Sequence, residues 1–396
     1  MELDRVRAVA DRMALQPRVP VFVVGGTNGK GSTCALLEAV LGEAGYRTGC
    51  YTSPHLLAYN ERVRVARRPI DDASLCESFA AVEAARHGVA LTYFEFGTLA
   101  AVYAFGRAGV DVMILEVGLG GRLDAVNVFD ADCAVITSIG IDHVEYLGNT
   151  RESIGFEKAG IMRAGRPVVV GDADPPDSLL SHARAVGARL WRAGEHFRAV
   201  AAEREWRFEG PAGRRAGLPH PALRGPCQLD NAATALAALD ALRERLPVPA
   251  AAVRAGLAGV FLPGRFQVLP GRPPVILDVA HNPHGAAQLA RALADLDVAG
   301  RTRAVFAMLA DKDAAGVAAA VKDQVDHWYL APLEGPRGAG TAWLRQALEA
   351  ARVFDPVEAF DSVPAALAAA RGAAGPDDRL VVFGSFHTVG LALAAD

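Results

Sequence analysis

Short apolar runs alternate along the chain with longer segments in which leucine, valine and alanine recur at helical spacing. In the first half these runs are residues 19–24, 112–117, 134–137 and 167–170, and each ends near glycine, aspartate or serine. In the second half they are residues 275–279, 303–308, 327–330 and 380–383. Strands rich in valine and isoleucine, separated by helix-length segments, indicate βαβ units with helices on both faces of a parallel sheet. The pattern therefore predicts an α/β fold.

A length of 396 residues and a break in this pattern predict two domains. Between residues 191 and 224, arginine, glutamate, glycine and proline replace the apolar runs, which suits a small antiparallel excursion. An alanine-rich helix over 231–245 follows, and then Pro263-Gly264 interrupts helix and strand alike. We expect a first domain over 1–262, a linker over 263–269 and a second α/β domain over 270–396.

The most informative motif is Gly26-Thr27-Asn28-Gly29-Lys30-Gly31-Ser32, which lies between the first apolar run and a helix-like stretch. Strand, glycine-rich loop and helix form the arrangement whose backbone N–H groups hold nucleotide phosphates, while a lysine reaches the outer ones. Val24 stands where the common motif has its first glycine, and Gly31 separates Lys30 from the Ser32 hydroxyl. A tight turn alone would also require glycines. The flanking strand and helix nevertheless favour ATP binding.

Lysine usage singles out two residues. Of the 41 basic residues only four are lysines, at positions 30, 158, 312 and 322. A lysine retained against such a bias favours a role that arginine cannot fill, such as a compact phosphate donor or a primary amine open to modification. Lys30 and Lys158 are therefore the first candidates.

Charge and cysteine usage exclude several classes of protein. A net charge of −4 without a long run of either sign disfavours nucleic acid as a partner. The five cysteines include no CxxC pair, which disfavours metal clusters and a disulfide framework and favours a reducing interior. No segment is typical of a signal peptide or long enough to span a bilayer. We expect a cytoplasmic protein with no membrane partner.

Polar residues follow several of the predicted strands, at the edge where parallel sheets bind ligands. Glu116 ends one strand and suits a Mg²⁺ ligand facing the phosphate loop, although it could be a solvated strand end. His143 follows the next strand, either as a ligand or as a hydrogen-bonded structural histidine. In the second half, residues 278–284 and 384–388 follow strands, and they either bind a ligand or only cap the next helix.

Together these motifs resemble the folylpolyglutamate synthase and dihydrofolate synthase family, a branch of the Mur-type ATP-dependent amide ligases. The resemblance covers nearly the whole chain and keeps the order of the family's motifs. The matching segments are residues 26–32, 53–56, 60–63, 92–95, 116–127, 142–143, 157–161, 264–266, 278–283 and 384–386. It implies an N-terminal P-loop ATPase domain with a parallel sheet and a C-terminal, Rossmann-like glutamate-ligase domain.

The resemblance also implies ligands for nucleotide and metal. It implies ATP contacts from Thr27, Asn28, Gly29, Lys30, Gly31, Ser32, Asn231, Arg265 and Asp278. It implies two Mg²⁺ sites with ligands from Ser53, Glu116, His143 and Lys158. Lys158 matches the lysine that is carbamylated in the family, a reaction that needs a primary amine and provides anionic oxygens for a second Mg²⁺.

For the acceptor and the incoming amino acid, the resemblance implies a site closed by both domains. The implied pterin-site residues are Thr92, Tyr93, Phe94, Glu95, Leu123, Asp124 and Ala125, and those around L-glutamate are His281 and Ser385. The γ-phosphate of ATP activates a carboxylate as an acyl phosphate, which the α-amine of L-glutamate then attacks. Lys30 and Lys158 are the implied catalytic lysines, and neutral His281 is our candidate base for the amine.

The leading hypothesis is a bifunctional, monomeric ligase that uses dihydropteroate and tetrahydrofolate as acceptors. Family members that make dihydrofolate carry a stretch similar to Asp-Leu-Gly-Leu before the first helix, and here the chain opens at Met1-Glu2-Leu3-Asp4. A folylpolyglutamate synthase without dihydropteroate activity is therefore the nearest alternative. A cell-wall precursor ligase would need a carrier domain before the phosphate loop. A non-catalytic ATP switch would not need Lys158 together with the second-domain loops.

Overall fold

The computed structural model describes residues 3–395 and divides into two compact units. One unit comprises the residues up to Ala222 together with Gln228–Phe261, and the other comprises Leu223–Cys227 and the residues from Leu262 onward. Both units are α/β, which confirms the predicted fold class. No helix between residues 3 and 395 has the length and apolar character needed to cross a bilayer.

A mainly parallel, eight-stranded sheet forms the centre of the first unit. Its strands are β1 (Val21–Gly25), β2 (Thr48–Tyr51), β3 (Val63–Val65), β4 (Arg68–Pro69), β5 (Val112–Glu116), β6 (Cys133–Ile136), β7 (Pro167–Val170) and β8 (Arg189–Arg192). The spatial order is β4-β3-β2-β5-β1-β6-β7-β8, and only the pairs made by β3 are antiparallel. Every residue of β1, β2, β5, β6 and β7 is buried, as expected for strands covered on both faces. The carboxyl ends of β1, β5 and β6 are therefore neighbours.

The helices of the first unit are α1 (Asp4–Arg12), α2 (Lys30–Glu43), α3 (Asp72–Arg86), α4 (Tyr93–Ala108), α5 (Val144–Leu147), α6 (Arg151–Ala159), α7 (Asp177–Val186), α8 (Cys227–Ala241) and α9 (Ala250–Gly259). The helix α2 is buried at every residue from 31 to 41. One cause is its close approach to α9, where a Cβ atom on Gly256 would lie 2.6 Å from the Cα atom of Val40. Glycine at position 256 is what allows the two helix backbones to approach so closely.

A small antiparallel sheet interrupts this unit, as the composition change after residue 191 predicts. It contains β9 (Arg198–Ala201), β10 (Glu205–Gly210) and β11 (Gly213–Pro219), in the order β11-β10-β9. Trp206 and Phe208 are buried beneath it, and the Trp206 indole donates to the Pro219 carbonyl at 2.9 Å.

The second unit has a six-stranded sheet with helices between its strands. Its strands are β12 (Gln267–Leu269), β13 (Val275–Asp278), β14 (Thr302–Phe306), β15 (His327–Leu330), β16 (Val357–Ala359) and β17 (Arg379–Phe383), in the order β12-β13-β17-β14-β15-β16. Its helices are α10 (Pro283–Ala294), α11 (Ala314–Val321), α12 (Thr341–Ala350), α13 (Val363–Ala373) and α14 (Phe386–Ala394). All neighbours are parallel except β12 and β13. The strands β13 and β17 are adjacent, so the polar loops that follow them start side by side.

Two predictions around the domain boundary are wrong in their limits. The segment 263–269 is not a free linker, because Gln267–Leu269 forms β12 and pairs with β13. The pairing partner lies in a different strand, so local breakers such as Pro263-Gly264 did not reveal it. The helix expected over 231–245 spans Cys227–Ala241 instead.

Candidate functional site

The glycine-rich loop joins β1 to α2 and has two residues in the left-handed region, Gly26 at φ 146° and Gly29 at φ 86°. A Cβ atom at Gly26 would overlap the Thr137 side chain. A Cβ atom at Gly29 would lie 2.5 Å from Oδ1 of Asn231. Only glycine satisfies both the backbone geometry and the crowding at these positions. The structure thereby brings Asn231 of α8 against the loop, as the prediction of a shared ATP site requires.

The loop is fastened to the residues that follow β6. The Thr27 amide donates to the Ser138 carbonyl at 2.7 Å, and the Asn28 amide donates to the Ser138 hydroxyl at 3.2 Å. The Thr137 hydroxyl donates to the Asn28 carbonyl at 2.6 Å. Thr137 and Ser138 were not predicted to belong to the site. The sequence feature that could have indicated them is a pair of polar residues directly after a buried strand, at the same edge of the sheet.

The two candidate lysines meet at one carbonyl oxygen. The Lys30 ammonium donates to Gly26 O at 3.1 Å and to Thr27 O at 3.2 Å, and the Lys158 ammonium donates to the same Gly26 O at 2.9 Å. Lys158 is only 4% exposed. Burial, and secondarily the charge of Lys30, lowers the pKa of Lys158 to about 7. Two cationic side chains therefore converge on the start of the phosphate loop.

Lys158 is positioned by α6 and by the loop 118–127. The Thr150 side chain caps α6 by accepting from Ser153 N at 3.1 Å, and Gly160 ends the helix. A Cβ atom on Gly160 would lie 2.5 Å from the Cα atom of Arg122, so the helix end packs closely on that loop. The Arg122 guanidinium also donates to the Glu157 carboxylate at 2.8 Å. The segments 116–127 and 157–161 are therefore brought together.

The predicted metal ligands are only partly gathered. The Ser53 amide donates to Glu116 Oε2 at 3.2 Å, and Glu116, at the end of β5, is 4% exposed. His143 begins α5 with a positive φ of 52°, and its amide donates to Asp142 Oδ1 at 2.8 Å. Across residues 3–395, no group of three histidine, cysteine, aspartate or glutamate side chains is arranged to hold a metal ion. Ser53 and Glu116 are together, and Lys158 would add oxygens only after modification.

Besides its predicted role in the pterin site, the segment 92–95 stabilises the start of α4. Thr92 accepts from Glu95 N at 3.2 Å, and Glu95 accepts from Thr92 N at 2.7 Å, which is a capping box for α4. Glu95 also forms a 2.9 Å salt bridge with Arg5. The Phe94 ring lies against Gly118, where a Cβ atom would be 2.7 Å from the ring. The start of α4 is thus packed on the loop 118–127, while the exposed Tyr93 ring extends away from the core.

Within that loop, Asp124 organises the backbone. Its carboxylate accepts from Leu119 N at 2.8 Å and from Val126 N at 3.1 Å. Burial raises its pKa to about 6 despite these bonds. Leu123 is half-buried and Ala125 begins a 3₁₀ turn, Ala125–Val128. The substrate roles of these three residues remain predictions.

In the second unit, the segments 264–266, 278–283 and 384–386 form one cluster. Asp278 accepts from Phe266 N at 2.9 Å and from Ala280 N at 2.8 Å, and burial raises its pKa. The Arg265 guanidinium lies 5.5 Å from the centre of the Phe386 ring, and the His281 ring lies 6.3 Å from it. The structure therefore joins the predicted residues Arg265, Asp278 and His281.

Two residues of this cluster cap helices. Ser385 accepts from Thr388 N at 3.0 Å at the start of α14, and Asn282 accepts from Gly285 N at 2.8 Å at the start of α10. His281 Nδ1 lies 2.9 Å from the Val279 carbonyl. In the neutral tautomer that donates this bond, Nε2 is the basic nitrogen. The capping alternative and the ligand alternative for these loops are thus compatible.

Two family models and several known proteins match this chain. The model of the Mur ligase middle domain matches residues 24–238, and that of the Mur ligase glutamate ligase domain matches residues 264–386. The chain is 48% identical over 388 residues to the dihydrofolate synthase/folylpolyglutamate synthase of Escherichia coli strain K12, covering 98% of this chain and 89% of that protein.

Solved structures are similar over the whole chain. E. coli FolC in complex with DHPP and ADP has a TM-score of 0.94 at 48% identity, covering 100% of this chain and 92% of that chain. A bifunctional folylpolyglutamate synthase/dihydrofolate synthase with Mn, AMPPNP and L-glutamate bound has a TM-score of 0.93 at 48% identity, covering 100% and 94%. These findings confirm the family predicted from the motifs: the chain belongs to the dihydrofolate synthase/folylpolyglutamate synthase family of Mur ligases.

Proposed function

We propose that this chain is an ATP-dependent ligase that joins L-glutamate to dihydropteroate and to tetrahydrofolate and its polyglutamates through an acyl phosphate. The observation that carries the proposal is the convergence of the Lys30 and Lys158 ammonium groups on the Gly26 carbonyl, at the start of a glycine-rich loop. A cation beside loop amides forms a site for a polyphosphate, and Lys30 keeps this role when Lys158 is modified. Relatives with ADP, AMPPNP and L-glutamate bound support the proposal.

For the nucleotide, we propose contacts from the phosphate loop, from α8 and from the second unit. Thr27, Asn28, Gly29, Gly31 and Ser32 lie on the loop and the first turn of α2, and the N–H groups of a first helical turn, which have no acceptor within the helix, suit phosphate oxygens. We assign Lys30 to the outer phosphates and Asn231, which touches the loop, to the nucleotide. In the second unit, Arg265 supplies a cation for phosphate. Asp278 holds the Arg265 segment through the Phe266 amide and is our remaining candidate for a nucleotide contact.

The residues present fit two Mg²⁺ ions by their donor chemistry. A serine hydroxyl, a buried carboxylate and an imidazole, from Ser53, Glu116 and His143, are ligands a divalent cation accepts, and oxygen is the donor that Mg²⁺ prefers. Mg²⁺ bound with ATP supplies positive charge to the phosphoryl group that is transferred. The Ser53 amide donates to the Glu116 carboxylate, and this bond orients the carboxylate before a metal ion binds.

We propose that Lys158 is carbamylated. Its neutral amine attacks CO₂, the new N–C bond forms, and a proton is released to solvent. The product keeps one N–H, which can still donate to Gly26 O, and it replaces a cation beside Lys30 by an anion. This change converts repulsion between the two side chains into attraction and adds oxygens for the second Mg²⁺.

For the acceptor we assign the start of α4 and the loop it touches, namely Thr92, Tyr93, Phe94, Glu95, Leu123, Asp124 and Ala125. For L-glutamate we assign Ser385 and His281. The Val279 carbonyl orients the His281 imidazole, and the basic nitrogen of its neutral form accepts the proton lost by the α-amine. No covalent bond to the protein forms. The ligase acts chiefly by positioning the reactants and by electrostatics.

The test is phosphate release from Mg-ATP and L-glutamate with dihydropteroate, and separately with tetrahydrofolate. Lys158→Arg is measured alongside, because arginine keeps the charge but cannot be carbamylated. Lys322→Arg is the matched control, since Lys322 lies in the second unit and donates to the Ala351 carbonyl. We expect turnover with both acceptors, lost in Lys158→Arg and kept in Lys322→Arg.

Other outcomes separate the alternatives. Turnover with tetrahydrofolate alone identifies a folylpolyglutamate synthase without dihydropteroate activity. Phosphate release that needs no acceptor identifies an ATP switch, and no turnover with either acceptor refutes the ligase proposal. An unchanged turnover rate of His281→Ala at saturating L-glutamate would exclude His281 as the base.

We further propose a cytoplasmic monomer. All five cysteines are free thiols, which suits a reducing compartment. Light scattering of the purified protein at micromolar concentration and fractionation of cells test the two parts. A stable dimer or recovery outside the cytoplasm would refute them.

A further inference from the structure

Gly97 lies in the second turn of α4, where two tyrosine hydroxyls point at its backbone. A Cβ atom at this position would overlap the Tyr59 hydroxyl oxygen and would lie 3.1 Å from that of Tyr51. Gly97 is buried inside a regular helix, where glycine is less favourable than alanine by about 1 kcal/mol. The missing side chain therefore makes room for the two phenol groups at a cost to the helix.

Tyr59 contacts a group of neighbouring aromatic and cationic side chains. The Arg62 guanidinium lies 5.3 Å from the Tyr59 ring and 5.3 Å from the Tyr93 ring, and Arg62 Nε donates to His55 Nδ1 at 2.8 Å. The rings of Tyr59 and Tyr93 meet edge to face at 5.6 Å. A movement of Tyr59 away from Gly97 would shift this aromatic and cationic group as a unit.

The same residues wall a cavity of about 520 Å³ beside the proposed acceptor residues. Its lining includes Tyr59, Phe79, Thr92 and Tyr93. Tyr59 also meets Phe79 edge to face at 5.3 Å, so it forms the corner between α3 and α4. A cavity of this volume lies within the range of pockets that bind small molecules.

Tyr51 links Gly97 to the other side of the helix start. The Tyr51 ring is fully buried and lies 5.7 Å from the Phe94 ring, which in turn packs on Gly118. Gly97 thus contacts Tyr59, which touches Tyr93, and Tyr51, which touches Phe94. Tyr93 and Phe94 are both proposed acceptor residues.

We propose that Gly97 is a positioning residue for the folate acceptor: the space left by its absent side chain sets the places of Tyr59 and Tyr51, and through them those of Tyr93 and Phe94. This inference rests on the proposed function, because it assumes that Tyr93 and Phe94 face the acceptor. It adds a determinant of acceptor affinity that touches no substrate.

The test compares Gly97→Ala with Gly106→Ala in the full chain. Both positions are glycines of α4, but a Cβ atom at Gly106 meets no other atom within 4 Å. Steady-state KM values are measured for tetrahydrofolate, for dihydropteroate and for ATP, together with thermal unfolding. Tyr59→Phe and the double variant Gly97→Ala/Tyr59→Phe complete the set, because the Tyr59 hydroxyl is the atom that the new methyl group overlaps.

We expect Gly97→Ala to raise the acceptor KM about tenfold while the KM for ATP changes less than about twofold, and Gly106→Ala to leave both at the parent values. In the Tyr59→Phe background the effect of Gly97→Ala should fall below about threefold, since neighbouring substitutions that relieve each other are not additive. The double variant also covers the case in which Gly97→Ala alone does not fold.

Three results would overturn the inference while leaving the proposed function intact. They are equal KM values for Gly97→Ala and Gly106→Ala, an equal rise of the KM for ATP, or an undiminished effect in the Tyr59→Phe background. A parent protein without turnover on either acceptor refutes the proposed function itself, and this inference with it.

Discussion

The two units treat their polar site residues differently. In the first unit, the Lys30 and Lys158 ammonium groups both donate to the Gly26 carbonyl, and Lys158 is only 4% exposed. In the second unit, Asp278, Asn282 and Ser385 accept hydrogen bonds from the backbone of their own loops and helix ends. As unmodified lysines, Lys30 and Lys158 bring two like charges together, which disfavours the folded state. The second unit uses its polar groups to build the fold.

This difference predicts how substitutions divide between activity and stability. A buried charge without full compensation lowers stability, and proteins retain such groups where function needs them. A capping or loop-holding side chain contributes to the free energy of unfolding whether or not a substrate binds. Substitutions of the two first-unit lysines should therefore separate activity from stability, and those of the three second-unit residues should change both.

The largest expected effect is that of Lys158→Met. Turnover should fall roughly 10²–10³-fold, as when one preorganised electrostatic group is removed from an active site. When Lys158 is not carbamylated, the free energy of unfolding should rise by about 1 kcal/mol, because the buried Lys158 cation beside the half-buried Lys30 is replaced by an apolar chain of similar length. Phosphate release and urea unfolding measure the two quantities.

Lys322→Met is the control for this substitution, and it should leave turnover at the parent value. A Lys158→Met variant that loses stability together with activity would break the proposed contrast between the units.

Asp278→Asn should cost stability directly. The carboxylate accepts from Phe266 N and Ala280 N with its two oxygens, whereas an amide has only one oxygen and turns a donor toward the other N–H. We expect a loss of about 2 kcal/mol in the free energy of unfolding. Urea unfolding measures it, with the exposed Asp361→Asn as a reference that changes stability by less than about 0.5 kcal/mol. Equal stability of the two variants would contradict the structural role of Asp278.

Ser385→Ala tests whether a cap can also serve a ligand. Ser385 and Ser362 are both N-caps in the second unit, and each accepts an amide three residues on, at 3.0 and 3.2 Å. Either alanine variant should lose about 1 kcal/mol of stability. Only Ser385→Ala should also raise the KM for L-glutamate. A rise in both variants, or in neither, would remove Ser385 from the proposed glutamate site.

The smallest effect concerns the pH dependence of Asp124. Its pKa is raised from the ordinary 3.8 to about 6 in the folded protein, so the folded state binds the proton more tightly. The stability this provides is complete below pH 3.8 and is lost as the pH rises through 6. Relative to Asp124→Asn, the parent should gain about 0.8 kcal/mol between pH 7 and pH 5.5. Urea unfolding at the two pH values measures it, and a parent that loses stability relative to Asp124→Asn on acidification would contradict the assigned shift.

Much of the fold was predictable because the buried strands are continuous apolar runs. The strands β7 and β15 have the predicted limits, since turn residues bound them on both sides. Gln267–Leu269 was misassigned because its strand character depends on pairing with β13, and local pattern does not encode such a partner. The same limit applies to Thr137, whose hydroxyl reaches the phosphate loop across more than 100 residues.

The motifs of the candidate site could be predicted from the sequence, but the hydrogen bonds and packing contacts between them could not. Lysine scarcity identified Lys30 and Lys158, and the structure adds that both bond one carbonyl oxygen. The segment 92–95 was recognised as an acceptor motif, although its threonine and glutamate form a capping box. The resemblance identifies the candidate residues, whereas the structure shows which of them contact one another. The substrate roles await the measurements above.

The burial of α2 has a consequence for motion. A helix with no solvent-facing side from residue 31 to 41 exchanges its amide hydrogens only when the first unit opens as a whole. The amides proposed to hold phosphate belong to the first turn of that helix and the loop before it. A nucleotide bound there would shift the opening equilibrium of the unit toward the closed state. Protection from deuterium exchange should then extend along α2 and into α9, well beyond the atoms that touch ATP.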